Sequence, residues 1–198
     1  GALLTLLARQ PQVVHRIRVE DRFLRIATSP DGRTVFLSEN WPRIRAVEAE
    51  SGRVVWAIDT PLKGQVSNIS PTPDGKGVVF TELGEPGGGD GIVRLDAATG
   101  EVVWTTSRKD LEKAAPNVGR WLMWGGLTAD GRYLLTTDTQ VFTLDAGSGA
   151  VTAAAAWPEP LEFTTMFVVW PDARVSRDTP SDTATGLHQV IVTQVGSP

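Results

Sequence analysis

Two histidines, His15 and His188, are the only ones in the chain, and there is no cysteine. Hydrolysis of the serine type needs a nucleophile, a histidine base and an orienting acid brought together. No Gly-x-Ser-x-Gly elbow accompanies either histidine, and both fall on segments that read as outer strands, where surface or packing roles account for them. Zinc chemistry needs three or four His, Cys or carboxylate ligands at fixed spacing, more than two isolated histidines supply. The lack of cysteine excludes disulfides, thiolate metal sites, covalent haem attachment and cysteine nucleophiles. Gly87-Gly88-Gly89-Asp90-Gly91 invites a phosphate-loop reading, but the Gly-Lys-Ser/Thr that grips phosphate is missing and no helix follows. As a calcium turn it would offer a single carboxylate; it reads instead as a loop. Asn68-Ile69-Ser70 fits a glycosylation acceptor, but Pro71 follows and the triplet falls on an inner strand. No catalytic residue, metal ligand or cofactor is therefore assigned.

The same segments repeat. FLRIATSPDGRTVFLSEN with RIRAVEAESGRVVWAID is followed by VSNISPTPDGKGVVFTE with GIVRLDAATGEVVWTTS, then by LMWGGLTADGRYLLTTD with QVFTLDAGSGAVTAAAAW. A worn fourth copy runs from FTTMFVVWPDARV to SDTATGLHQVIVTQ. Two anchors recur in order. Asp31-Gly32, Asp74-Gly75 and Asp130-Gly131 are Asp-Gly hairpin signals, decayed to Asp172-Ala173 in the last copy, and the glycine accepts a positive φ without a Cβ penalty. Gly52, Gly100, Gly149 and Gly186 each close a longer turn. The three aspartates are thus turn residues before they are a ring of carboxylates, and Trp56, Trp104 and Trp157 read as packing between units before any ligand platform.

Between the anchors lie short runs rich in Val, Ile, Leu, Thr and aromatics, a composition that favours strands. Inner strands are expected near 22–29, 66–72, 121–128 and 163–170, and second strands near 33–38, 76–82 and 132–137. Third strands are expected near 43–48, 92–96 and 140–145, with outer strands near 53–59, 101–107, 150–157 and 187–194. A period of roughly 40–50 residues with four strands is that of a propeller blade, and a blade must stack because it cannot cover both its faces alone. The expected fold is all-β, a β-propeller of four four-stranded blades forming a small ring or a partial arc of a larger one. Blades span about 21–60, 61–107, 120–157 and 162–195 within a domain at 13–198. An extra strand at 13–20, Val13-Val14-His15-Arg16-Ile17-Arg18-Val19, has the position of the outer strand of a preceding blade. It either completes the last blade and closes a ring, or belongs to part of a longer propeller, with two chains paired into a larger ring as a third arrangement. Residues 1–12 are apolar and read either as the tail of a signal or anchor helix or as a short helix on the domain edge.

The Ser-Pro-Asp-Gly turn, a strand pair and Leu-Asp-Ala-Ala-Thr-Gly-Glu-Val-Val-Trp resemble the repeats of quinoprotein-like, YVTN-type bacterial β-propellers, over about residues 20–195. That resemblance implies the fold and leaves the ligand open, since the group includes quinone-dependent dehydrogenases, lactonases, outer-membrane assembly factors and interaction modules. A quinone site would need a stacking tryptophan and calcium ligands from a complete ring, and none is assignable.

The net charge of −4 argues against a nucleic-acid partner, which calls for a clustered basic surface. Long loops on a rigid scaffold are where binding concentrates, and the longest here are Leu83–Gly91 and Ser107–Arg120. The second reads as a loop with one helical turn at Asp110–Ala115, removable without loss of the fold. Trp41, Arg43 and Lys63 lie on the same face, and Arg108, Lys109, Lys113 and Arg120 form a basic cluster suited to an acidic protein partner. The expected function is a non-catalytic scaffold for protein–protein interaction in a bacterial envelope or membrane-associated complex, periplasmic or otherwise extracytoplasmic, with residues 1–12 as the membrane contact. The competing expectation is a fragment or relative of a propeller enzyme.

Overall fold

The structure, a computed structural model, describes residues 25–38, 43–83, 90–120, 122–157, 167–169, 174–182 and 187–194. Three antiparallel four-stranded meanders follow one another. The first holds β1 (Arg25–Thr28), β2 (Thr34–Ser38), β3 (Arg43–Glu48) and β4 (Val54–Asp59). The second holds β5 (Gln65–Pro71), β6 (Gly77–Leu83), β7 (Gly91–Asp96) and β8 (Val102–Ser107); the third holds β9 (Leu122–Leu127), β10 (Arg132–Thr137), β11 (Gln140–Asp145) and β12 (Val151–Ala156). These bounds fall within a few residues of those expected, because strand composition and turn chemistry are local properties.

The fourth sheet departs from expectation. Among the described residues it has three strands, β13 (Phe167–Val169), β14 (Arg174–Asp182) and β15 (Leu187–Gln194), in that order. β14 runs through what reads in sequence as a polar stretch, and β15 pairs with it from Arg174↔Gln194 to Asp182↔Leu187. A ladder of eight residue pairs satisfies backbone donors and acceptors that a polar loop would leave to water, which side-chain composition alone does not show.

Both anchors are visible in atomic terms. In the Asp-Gly hairpins the hydroxyl two residues upstream donates to the carboxylate, Ser29 to Asp31 and Thr72 to Asp74 at 2.6 Å each, and Thr128 likewise donates to Asp130. Asp31 and Asp74 also accept the N–H of Arg33 and Lys76. The three carboxylates are therefore engaged within their own turns, and these bonds hold all three below the usual carboxylate range, most strongly at Asp130, where Arg132 adds its guanidinium and the value falls to about 2.

Blades stack through a repeated lock. Gly100 (φ +76°) and Gly149 (φ +75°) lie in the left-handed region, each with its Cα against an indole of the preceding sheet. A Cβ would sit 2.8 Å from Trp56 at the first position and collide with Trp104 at the second. The two indoles donate Nε1–H to Ala97 O (3.0 Å) and Ala146 O (3.2 Å). Around each lock lies a closed core. Phe36, Ile44, Ala46 and Trp56 meet Val78, Phe80, Val93 and Leu95 between the first and second sheets; Val79, Ile92 and Trp104 meet Tyr133, Leu135, Phe142 and Leu144 between the second and third. Trp157 behaves otherwise: its Nε1–H returns to Thr137 O of its own sheet (2.9 Å). Ala153, four residues past Gly149, holds the place that Trp56 and Trp104 hold after Gly52 and Gly100.

Inner strands neighbour one another in the order β1, β5, β9, β13, and among the described residues there is no comparable contact between the first and last sheets. Arg25 reaches across the axis, donating to Ser67 O at 2.9 Å and stacking over Trp124 at 5.8 Å. Asn68 donates to Ser70 Oγ and to Gly125 O of the next sheet, so the sequon-like triplet stitches blades together. The described sheets thus fan about one axis as an open arc.

One expectation is overturned. Residues 108–120 include a helix, α1 (Arg108–Ala114), not a loop with a single turn. Leu111, Ala115 and Val118 are buried and belong to the core between the second and third sheets, so deleting this segment would open that core.

Candidate interaction face

In a meander of this kind the second-to-third-strand loops and the connections between sheets emerge on one face. The turns just described, with the Asp-Gly anchors, occupy the other. The connection face is held together by charge. Asp90, immediately before β7, is buried and meets Arg108 at 2.6 Å (Nε) and 2.5 Å (Nη2). The same guanidinium donates to Gly119 O (2.7 Å) and Arg120 O (3.1 Å). Asp90 Oδ2 thus takes both contacts from one guanidinium, and with the two carbonyls these charge-assisted bonds offset the desolvation of a largely buried pair. Beyond it, Arg120 N–H donates to Asp138, and Asn117 O accepts from Thr139 and Gln140. The stretch from α1 to β9 is therefore tied to the second and third sheets along its length.

Helix α1 begins at Ser107, whose N–H (3.0 Å) and hydroxyl (2.7 Å) donate to Asp110. An acidic side chain in the first turn suits the positive end of the helix dipole. Lys113, foremost, and Ser107 hold the Asp110 carboxyl at about 2.

The basic residues expected on this face divide by geometry. Arg108 points inward, with 17% side-chain exposure, and acts on the loop. Lys109 is exposed and makes no ion pair among the described residues. Lys113 is 76% exposed, with a solvent-facing bridge to Asp110, and Arg120 is exposed at the end of the tied stretch. Arg43, at the start of β3, pairs with Asp59 at 3.0 Å with both partners about half exposed, an arrangement worth about 0.2–1 kcal/mol. Lys63 stands at φ +57° in the connection from β4 to β5. Trp41 lies outside the described residues, as do Gly87–Gly89, residues 1–12 and residues 13–20, for which the sequence leads one to expect a strand.

Two acidic residues on this face are no part of the binding set expected from the sequence. Asp90 reads there as a lone calcium ligand. Glu82 lies toward the end of β6, fully buried, with Oε2 accepting from Gly64 N–H at 2.6 Å and Oε1 without a hydrogen bond among the described residues. Burial, partly countered by Gly64 and Thr60, pushes its carboxyl up to about 7. Its signal was present: in Gly77-Val78-Val79-Phe80-Thr81-Glu82 every residue is buried, and a charged residue in so apolar a run is exceptional. Among the described residues no group of three His, Cys, Asp or Glu side chains is placed to hold a metal.

The assembled picture is a propeller arc with a family signature along its length. The profile described as outer membrane protein assembly factor BamB matches residues 7–179. The chain belongs to this BamB family. Solved structures with the same fold include hydrazine synthase of Kuenenia stuttgartiensis, at 17% identity and TM-score 0.57 over 84% of this chain and 48% of that one. BamB from Moraxella catarrhalis aligns at 15% identity and TM-score 0.52, over 77% of this chain and 44% of that one. The dihydro-heme d1 dehydrogenase NirN in complex with DHE aligns at 17% and 0.58, over 88% and 35%. This BamB-family chain thus spans about half the length of such structures or less, and at these identities the likeness is one of fold. No curated protein matches it in sequence.

Proposed function

We propose that this chain is a non-catalytic docking propeller, binding an acidic protein partner through its connection face within an outer-membrane assembly complex. The observation that supports it most is the pinned α1 segment. The buried Asp90–Arg108 pair, the bonds that Asn117 O accepts from Thr139 and Gln140, and the bond from Arg120 N–H to Asp138 hold a short helix in place, with Lys109 and Lys113 exposed on it and Arg120 beside it. A surface fixed before the partner arrives loses little conformational entropy on binding, and rim charges of one sign steer an oppositely charged partner. Arg108 serves as the positioning residue. Arg43 and Lys63 extend the same face, with Trp41 as an aromatic anchor. Family membership supports an extracytoplasmic, membrane-associated setting, in which residues 1–12 contact the membrane.

Affinity capture from an envelope extract, with the captured proteins identified, tests both levels. Outer-membrane assembly components are expected with the native chain. Lys109→Glu combined with Lys113→Glu is expected to reduce their capture at least tenfold while the fold is kept, with a thermal midpoint lowered by only a few degrees, because the lost Lys113–Asp110 bridge is solvent-facing and such bridges contribute about 0.2–1 kcal/mol. Undiminished capture by the double variant would place the site elsewhere. Failure of the native chain to capture any assembly component would refute the function.

A further inference from the structure

The first sheet carries the receiving half of a lock whose other half is legible only in sequence. Gly52 has φ +70° and its N–H donates to Glu48 O at 2.8 Å, as Gly100 does to Asp96 O (2.9 Å) and Gly149 to Asp145 O (2.8 Å). In the second and third sheets this turn holds an indole from the sheet before, flat on the glycine and bonded to the carbonyl next after the turn's first residue. The corresponding carbonyl in the first sheet belongs to Ala49.

Two more observations place a strand against this side of the sheet. A groove of about 600 Å³ is lined there by Gly32, Arg33, Glu48, Ala49 and Glu50. The groove of about 530 Å³ at the joint of the first two sheets has the matching residues Gly75, Ala97 and Ala98 on its receiving side. Leu37 and Val47 are 2% and 0% exposed, yet neither belongs to the core shared with the second sheet. They alternate with Phe36 and Ala46 and so face the other way. Two large apolar side chains buried on that face require a covering partner.

The occupant is written in the chain. Val13-Val14-His15 repeats Val54-Val55-Trp56 and Val102-Val103-Trp104, and it stands 16 residues before Asp31 where Trp56 stands 18 before Asp74. We infer that the Val13–Val19 segment docks on the first sheet as the outer strand of a preceding blade, with His15 in the tryptophan's place on Gly52, donating a ring N–H to the Ala49 carbonyl. An imidazole fills less of the seat than an indole but keeps the donor, and with it the bond that orients the ring. This inference does not depend on the proposed partner or on the connection face.

The absence of cysteine makes the test direct. His15→Cys with Ala49→Cys in the full chain, treated with a short bis-maleimide, is expected to give one crosslink within a monomer, mapped by peptide mass to positions 15 and 49. Trp56→Cys with Ala97→Cys, the same pair one lock later, calibrates the chemistry. A crosslinked dimer would assign the seat to a second copy, and a crosslinked control beside an unlinked test pair would leave the seat to another strand; either overturns the inference. Independently, His15→Trp is expected to raise the thermal midpoint by about 2–4 °C, as a completed lock adds burial in a chain of this length, and to shift tryptophan emission to shorter wavelength. An exposed, red-shifted indole with no gain in midpoint also overturns it.

Discussion

Gly100→Val is expected to cost about 3–5 kcal/mol of stability. Two effects combine. A β-branched residue at φ +76° is strained by about 1–3 kcal/mol, and its Cβ would stand 2.8 Å from the Trp56 ring, an overpacking worth about 1–3 kcal/mol more. Gly75 separates them, since it has φ +70° with nothing within 4 Å of its Cβ position. Gly75→Val should therefore lose only the backbone part. Urea unfolding of both variants, repeated in a Trp56→Ala background, measures the lock itself: the excess cost at position 100 should shrink once the indole is gone. Equal losses at positions 75 and 100 would mean that the indole is not seated on the turn.

The second large effect is a pH dependence centred on Glu82. Its carboxyl titrates near 7 in the fold against an ordinary 4.5, so the folded chain holds a proton that the unfolded chain has released. Stability from this group is complete below about pH 4.5 and is lost as pH rises through 7, to a limit of about 3 kcal/mol. Glu82→Gln keeps an acceptor for Gly64 N–H and removes the titration. The variant should match the native chain near pH 4.5 and exceed it above pH 7 by up to about 3 kcal/mol. Asp110 and Asp130, both held at about 2, act with the opposite sign, adding stability above the ordinary aspartate range that is lost as pH falls through 2. They are common to both proteins, so the difference between the two pH profiles isolates Glu82. Parallel profiles from pH 4 to 8 would show that its carboxylate is compensated in the fold.

Both predictions rest on a site that was only half legible in the residue order. The turn at Gly100 was readable, because Asp96-Ala97-Ala98-Thr99-Gly100 satisfies its own backbone: Asp96 accepts from Ala98 and Thr99 N–H at 2.9 Å each. That this glycine also seats Trp56, 44 residues away, was not. Among the basic residues expected on the connection face, sequence could not separate Arg108, spent on Asp90 and two carbonyls, from Lys109 one position on, which faces solvent. A seven-residue segment such as α1 has little intrinsic helical stability, so its sequence shows no more than one helical turn; burial of Leu111 between the second and third sheets sustains the helix.

By itself the sequence determined the strands, their hairpins and the repeat. Side-chain alternation, β-branched runs and positive-φ glycines act over a few residues, so they are the same in any environment the chain folds into. The tertiary structure alone decided which tryptophans join blades, why Trp157 turns back on its own sheet where Ala153 has replaced the docking indole, and which charges are buried. Those outcomes depend on contacts between residues 18 to 52 positions apart, such as Arg108 with Asp90 and Arg94 with Ala146 O. The energy of such a contact is set by desolvation and packing at a joint between sheets, which exists only once the sheets have stacked.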